Sequence, residues 1–124
     1  MGYMGLDHPV NSDDAASYIS NIIDSIIKES KKELKNSGND YNTNGTENVA
    51  MFLYHFICPN YKEWEPFLDD DFIQLVDKTI KKLRLLIKSI KKITDGEREK
   101  ESYYMHLNHY KKWLKRITIM RETL

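Results

Sequence analysis

Between residues 70 and 93 the apolar side chains Ile73, Val76, Ile80, Leu83, Ile87 and Ile90 recur at alternating steps of three and four. Residues spaced this way lie side by side on one face of an α-helix and on no single face of a strand. Phe72, Leu86 and Ile93 widen the stripe, Asp69, Asp70 and Asp71 open it, and Thr94-Asp95-Gly96 stops it. A helix that long and that one-sided must find a second apolar surface to cover it. The rest of the chain therefore has to supply one.

The following segment does so. From about 97 to 122, Tyr103, Leu107, Tyr110, Leu114 and Ile117 repeat the same spacing, with Trp113 and Met120 beside them. Two such helices joined by a Gly-containing turn predict an antiparallel hairpin. Near the N-terminus, Ala15, Ala16, Ile19, Ile22, Ile23, Ile26, Ile27 and Leu34 form another helical stripe. Asn11 or Ser12 can cap that helix, and Asp13 and Asp14 sit at its positive end. Thr46 can cap a fourth helix that is apolar on nearly every side until Pro59 ends it. The expectation is an all-α single domain over 1–124, a bundle of about four helices at 12–35, 47–58, 70–93 and 97–122. An irregular lead-in (1–11), an Asn/Gly-rich loop (36–46) and a connector with Trp64 and Pro66 complete it. A length of 124 residues suits one domain, and no internal repeat is visible.

Charge is distributed unevenly. The formal net charge is +0, yet residues 1–76 carry 13 Asp and Glu against 5 Lys, a net −8, and residues 77–124 carry the compensating +8. Cys58 is the only cysteine, so no disulfide can form within the chain and a reducing, cytoplasmic setting is expected. No Lys or Arg precedes residue 28 and no apolar core follows the N-terminus, unlike a secretory signal. The longest apolar run, Val49 to Tyr54, is far too short to span a bilayer. Gly2 lacks the Ser or Thr at position six that myristoylation wants, since Leu6 stands there.

Candidate chemistry is sparse. The Asp13-Asp14 and Asp69-Asp70-Asp71 clusters fall at helix starts, where capping and the helix dipole account for them. His55-x-x-Cys58 and His106-x-x-His109 each place two side chains on one helix face, and together offer the N and S ligands that zinc prefers. Ordinary buried Cys and surface His explain the same residues, so no metal and no cofactor is expected. No phosphate-binding glycine loop, nucleophile motif or paired-cysteine motif is present. On the basic side, Lys81, Arg84, Lys88 and Lys91 share a stripe of the third predicted helix, while Lys111 and Lys115 lie on the fourth. Such a stripe can follow phosphates or meet an acidic protein surface. No aromatic is interleaved on it, and the sequence pI of about 6.9 is low for a nucleic-acid binder.

The opening Met1-Gly2-Tyr3-Met4-Gly5 and the Asn11-Ser12-Asp13-Asp14-Ala15-Ala16 block resemble a bacterial family of small helical proteins, the domain of unknown function numbered forty-two fifty-nine. Its members typically open Met-Gly-x-Trp-Gly and reach an Asn-Asp-x-Ala block soon after; here Met4 replaces the Trp and Ser12 interrupts the Asn-Asp pair. The resemblance implies an all-helical fold without known catalytic residues and the neighbourhood of toxin–immunity systems. The leading expectation is a non-enzymatic, immunity-like inhibitor that neutralises a protein partner, a toxin or defence protein, through a charged surface. Lys81, Arg84, Lys88, Lys91, Lys111, Lys115, Asp13 and Asp14 are the candidate contacts. Two alternatives stand beside it. One is a phage counter-defence protein that sequesters a nucleotide signal between basic side chains and Tyr103, Tyr104 or Trp113, and the other is a nucleic-acid binder that uses the Lys81 stripe.

Overall fold

The computed structural model describes residues 13–36, 43–94 and 100–124, with side chains described for all of these except 91–94 and 100–103. Among the described residues the chain is helical nearly throughout and contains no strand. Helix α1 spans Asp13–Lys35, α2 Asn44–Phe52, α3 Tyr61–Trp64, α4 Asp70–Thr94 and α5 Lys100–Thr123. A π turn (Leu53–Ile57) and two 3-10 turns (Cys58–Asn60 and Glu65–Phe67) link α2 through the single-turn α3 to α4. This is the all-α bundle of about four long elements that the spacing predicts. The lead-in, the caps at Asn11 and Ser12, loop residues 37–42 and the Asp95-Gly96 stop lie outside the described residues.

Helix α4 starts where a carboxylate satisfies its first free donors. Asp69 Oδ1 accepts from the Phe72 N–H at 3.2 Å, and the Asp69 carbonyl accepts from the Ile73 N–H at 3.1 Å. Asp70 and Asp71 occupy the first turn of α4, as Asp13 and Asp14 do in α1, near the positive end of each helix dipole.

Helix α2 differs from expectation at its start. It begins at Asn44, and Thr46, expected as its cap, is instead fully buried within the first turn beside buried Gly45. Both residues are small enough for the helix start to go under cover. Thr43 precedes the helix: its carbonyl accepts from the Glu47 N–H at 3.0 Å, and its hydroxyl donates to the Glu47 carboxylate at 2.6 Å.

The π turn follows from Pro59. Proline offers no N–H, so the α-helical ladder cannot run through it. The last available donor, the Cys58 N–H, reaches back five residues to the Leu53 carbonyl, which is the π pattern. Leu53 and Ile57 stay in the core through this wider turn, while His55 is exposed.

The core forms around α4. Phe72, Leu75, Val76, Ile80, Leu83 and Leu86 are buried there, whereas Ile73, Ile87 and Ile90 are only half-buried. The buried face is thus rotated toward Phe72, Leu75 and Leu86 relative to the stripe read from the sequence. It gathers Ile23, Ile27 and Leu34 of α1, Val49 and Ala50 of α2, and Tyr110, Trp113 and Ile117 of α5. Thr79 is buried in this face with its hydroxyl donated to the Leu75 carbonyl at 2.8 Å, so no donor is stranded. Arg121, near the end of α5, donates to Asp77, near the start of α4, at 2.8 Å. The two helices therefore run antiparallel, as the hairpin reading requires.

Candidate functional site

Two basic surfaces stand out, each assembled from more than one helix. The first is an open groove of about 540 Å³ where the end of α1 meets α4. Lys31 and Lys35 of α1 and Lys78, Lys81 and Lys82 of α4 line it, over an apolar floor of Leu34 and Leu85. The side-chain ammonium of Lys82 donates to the Leu34 carbonyl, capping the negative end of the α1 dipole. Partial burial, then the neighbouring Lys78 charge, push the Lys82 pKa below the usual lysine value. Lys31 leans to the other rim and pairs with Asp71 at 3.4 Å.

The second surface lies where the π turn packs beside α5. One hollow of about 340 Å³ is lined by Met51, Tyr54, His55, His109, Lys112 and Trp113. A smaller one, about 220 Å³, continues from the shared Tyr54 and Lys112 to Lys115, Arg116 and Ile119. Lys112 Nζ lies 5.6 Å from the Tyr54 ring centroid, a cation–π distance. Tyr54 meets His55 edge-on at 4.8 Å, and His109 stacks on Trp113 at 6.0 Å. Along α5, Met105, His109, Lys112, Arg116 and Ile119 are all exposed and follow i, i+4, i+7, i+11, i+14, a single helical stripe. Met105 and Ile119 flank His109, Lys112 and Arg116 on it.

The four His and Cys candidates do not gather. Cys58 is buried, with its thiol donated to Met120 Sδ at 3.7 Å. Burial pushes its pKa up to about 11, opposed in part by Arg116, which makes it an unreactive core thiol. His55, three residues earlier, is exposed because the π turn rotates less per residue than an α-turn and separates the pair. His106 is also exposed, its ring 6.3 Å from Tyr110. His55 and His109 line one hollow. Among the described residues no group of three or more His, Cys, Asp or Glu is placed to hold a metal.

The expected α4 stripe also divides. Lys81 joins the α1–α4 groove, whereas Arg84 and Lys88 are exposed one and two turns farther on. The Lys91 and Tyr103 side chains lie outside the described residues. Lys115 lines the second surface, Lys111 is exposed on a neighbouring face of α5, and Asp13 and Asp14 are exposed at the start of α1. Sequence reasoning missed Lys31 and Lys35 as partners of Lys81, and missed Tyr54 as the aromatic beside the α5 cations. The lysines in the last turns of α1 were the one signal that pointed toward the groove.

A polar tie joins α2 to α5 beneath these surfaces. The buried Tyr110 hydroxyl is hydrogen-bonded with Glu47 and Thr43. Desolvation, followed by the Glu47 charge and hydrogen bond, pushes the Tyr110 pKa up to about 12, with Thr43 acting the other way. No buried side-chain N or O among the described residues lacks a hydrogen-bond partner. No described helix is long and apolar enough to cross a membrane. Comparison with known proteins finds no matching family model, no matching curated protein and no matching solved structure.

Proposed function

We propose that this protein acts by binding, as an immunity-like inhibitor that covers an acidic surface of a partner protein with its α5 face. The observation that carries the reading is the pair of adjoining hollows lined by Met51, Tyr54, Ile119 and the edge of buried Trp113 together with His55, His109, Lys112, Lys115 and Arg116. Protein interfaces are enriched in Tyr, Trp, Met and Arg, with apolar anchors at the centre and charge around them. No carboxylate is among the residues lining either hollow, so the complementary surface is acidic. Steering by that charge accelerates encounter more than it deepens affinity. The N-terminal motif's resemblance, which implies the neighbourhood of toxin–immunity systems, points the same way.

The test is a kinetic titration against toxic proteins encoded next to this one, at low and high salt, with wild type and a Lys112→Glu/Arg116→Glu variant. The expected association rate falls about tenfold or more with added salt and again on charge reversal. An association rate indifferent to both changes refutes the reading.

A further inference from the structure

The groove between α1 and α4 takes no part in that reading and has a chemistry of its own. Five lysines from two helices converge on it, and no carboxylate is among its lining residues. Helix-dipole compensation explains Lys35, in the last turn of α1, and Lys82, which holds the Leu34 carbonyl. It does not explain Lys78 and Lys81, which sit in the middle of α4, where the dipole carries no end charge. Lys78 is three and four residues from Lys81 and Lys82, and Lys31 is four from Lys35. These are the spacings at which like charges on a helix repel. Lys31 is met by Asp71, but no carboxylate lines the groove beside Lys78 and Lys81, so their mutual repulsion is uphill there; burial first, and then the Lys78 charge, lower the Lys82 pKa.

We propose that this groove is a binding site for a small ligand carrying two or more phosphoryl groups. Its volume, about 540 Å³, lies in the range of small-molecule sites and greatly exceeds one phosphate. Lysines line it from two helices, so a ligand with several separated negative charges can meet both sides. Leu34 and half-exposed Leu85 form an apolar floor suited to an uncharged portion of the ligand. A long nucleic acid fits less well. The lining contains no aromatic side chain to stack a base, and the end of α1 and the middle of α4 enclose a short groove.

Calorimetric titration at fixed ionic strength tests this, using orthophosphate, pyrophosphate, tripolyphosphate and a short single-stranded oligonucleotide. The expected order is tripolyphosphate, pyrophosphate, then orthophosphate, with the first about tenfold or more tighter than the last. Lys78→Gln and Lys81→Gln should each weaken tripolyphosphate about tenfold, while Lys88→Gln, exposed farther along α4, changes it less than about twofold. Both groove positions are exposed, so neither variant removes core packing, and the two report independently. Equal affinity for all three inorganic anions overturns the proposal. So does an equal loss in Lys88→Gln, or an oligonucleotide preferred over tripolyphosphate. The Lys112→Glu/Arg116→Glu variant keeps tripolyphosphate binding, because its changes lie on the other surface.

Discussion

Removing one groove lysine should make the unliganded protein more stable. Lys78 is the choice because it faces Lys81 and Lys82 one turn on and shares the groove with Lys31 and Lys35. Each like-charge pair at i, i+3 or i, i+4 costs about 0.2–0.5 kcal/mol on a helix surface, and Lys78 takes part in two. Lys and Gln have nearly equal helix propensity, and Lys78 is exposed, so Lys78→Gln carries little loss to set against that relief. The gain is roughly 0.4–1 kcal/mol at low salt, or about 1–5 °C in melting temperature for a domain this size. Added salt shortens the screening length to about 4 Å near 0.5 M, so the difference should shrink there. The assay is thermal unfolding followed by circular dichroism on both proteins at low and high salt. With saturating tripolyphosphate the order should invert, because the ligand stabilises wild type more. A variant that melts below wild type at low salt without ligand, or a difference indifferent to salt, refutes the reasoning.

Three further predictions follow from the interior. Tyr110→Phe removes a hydroxyl hydrogen-bonded with Glu47 and Thr43 and should cost about 1–2 kcal/mol, read as a lower urea midpoint at unchanged m; an unmoved midpoint would show that the tie contributes nothing. Stability should fall on the alkaline side, because Cys58 and Tyr110 ionise near 9 and 10 when unfolded but near 11 and 12 when folded. Both folded values are raised, so the contribution is complete below pH 9 and is lost as pH climbs from 9 to 12; Cys58→Ala should flatten the first part of that decline in unfolding free energy. Leu53→Ala empties a fully buried site in the π turn and should cost about 2–5 kcal/mol, and a loss below about 1 kcal/mol in urea unfolding would mean that the turn collapses to fill the space.

The helices were legible because each long one writes its burial into a spacing of three and four. Ile80 and Leu83 are buried on α4 as that spacing predicts, and Leu107, Tyr110 and Ile117 on α5. What the spacing could not give was the phase of each face, which the neighbours decide: Phe72, Leu75 and Leu86 are buried while Ile87 and Ile90 are only partly so. Thr46 reads as a cap by its chemistry, yet tertiary cover moves it inside the helix. The π turn has no composition of its own, so the parting of His55 from Cys58 was invisible. Both basic surfaces were half-visible, since the lysines are plain in the sequence. Their partners across space, Lys31 with Lys78 and Tyr54 with Lys112, depend on how α1 crosses α4 and how the π turn meets α5.

The antiparallel pair of α4 and α5 also sets an order of assembly. The two helices are consecutive in the chain and make the most extensive pairing among the described residues, so their contacts close with little loop entropy. The ties from α1 and α2, such as Glu47 with Tyr110 across 63 residues, require much longer stretches of chain to meet. The hairpin is thus the natural folding nucleus, with α1 and α2 docking onto it later. Substitutions on the hairpin seam will mainly slow folding, and those at the α1 and α2 contacts will mainly hasten unfolding. The lysine groove exists only once α1 has docked, so a ligand held there would lengthen the lifetime of the native state rather than speed its formation.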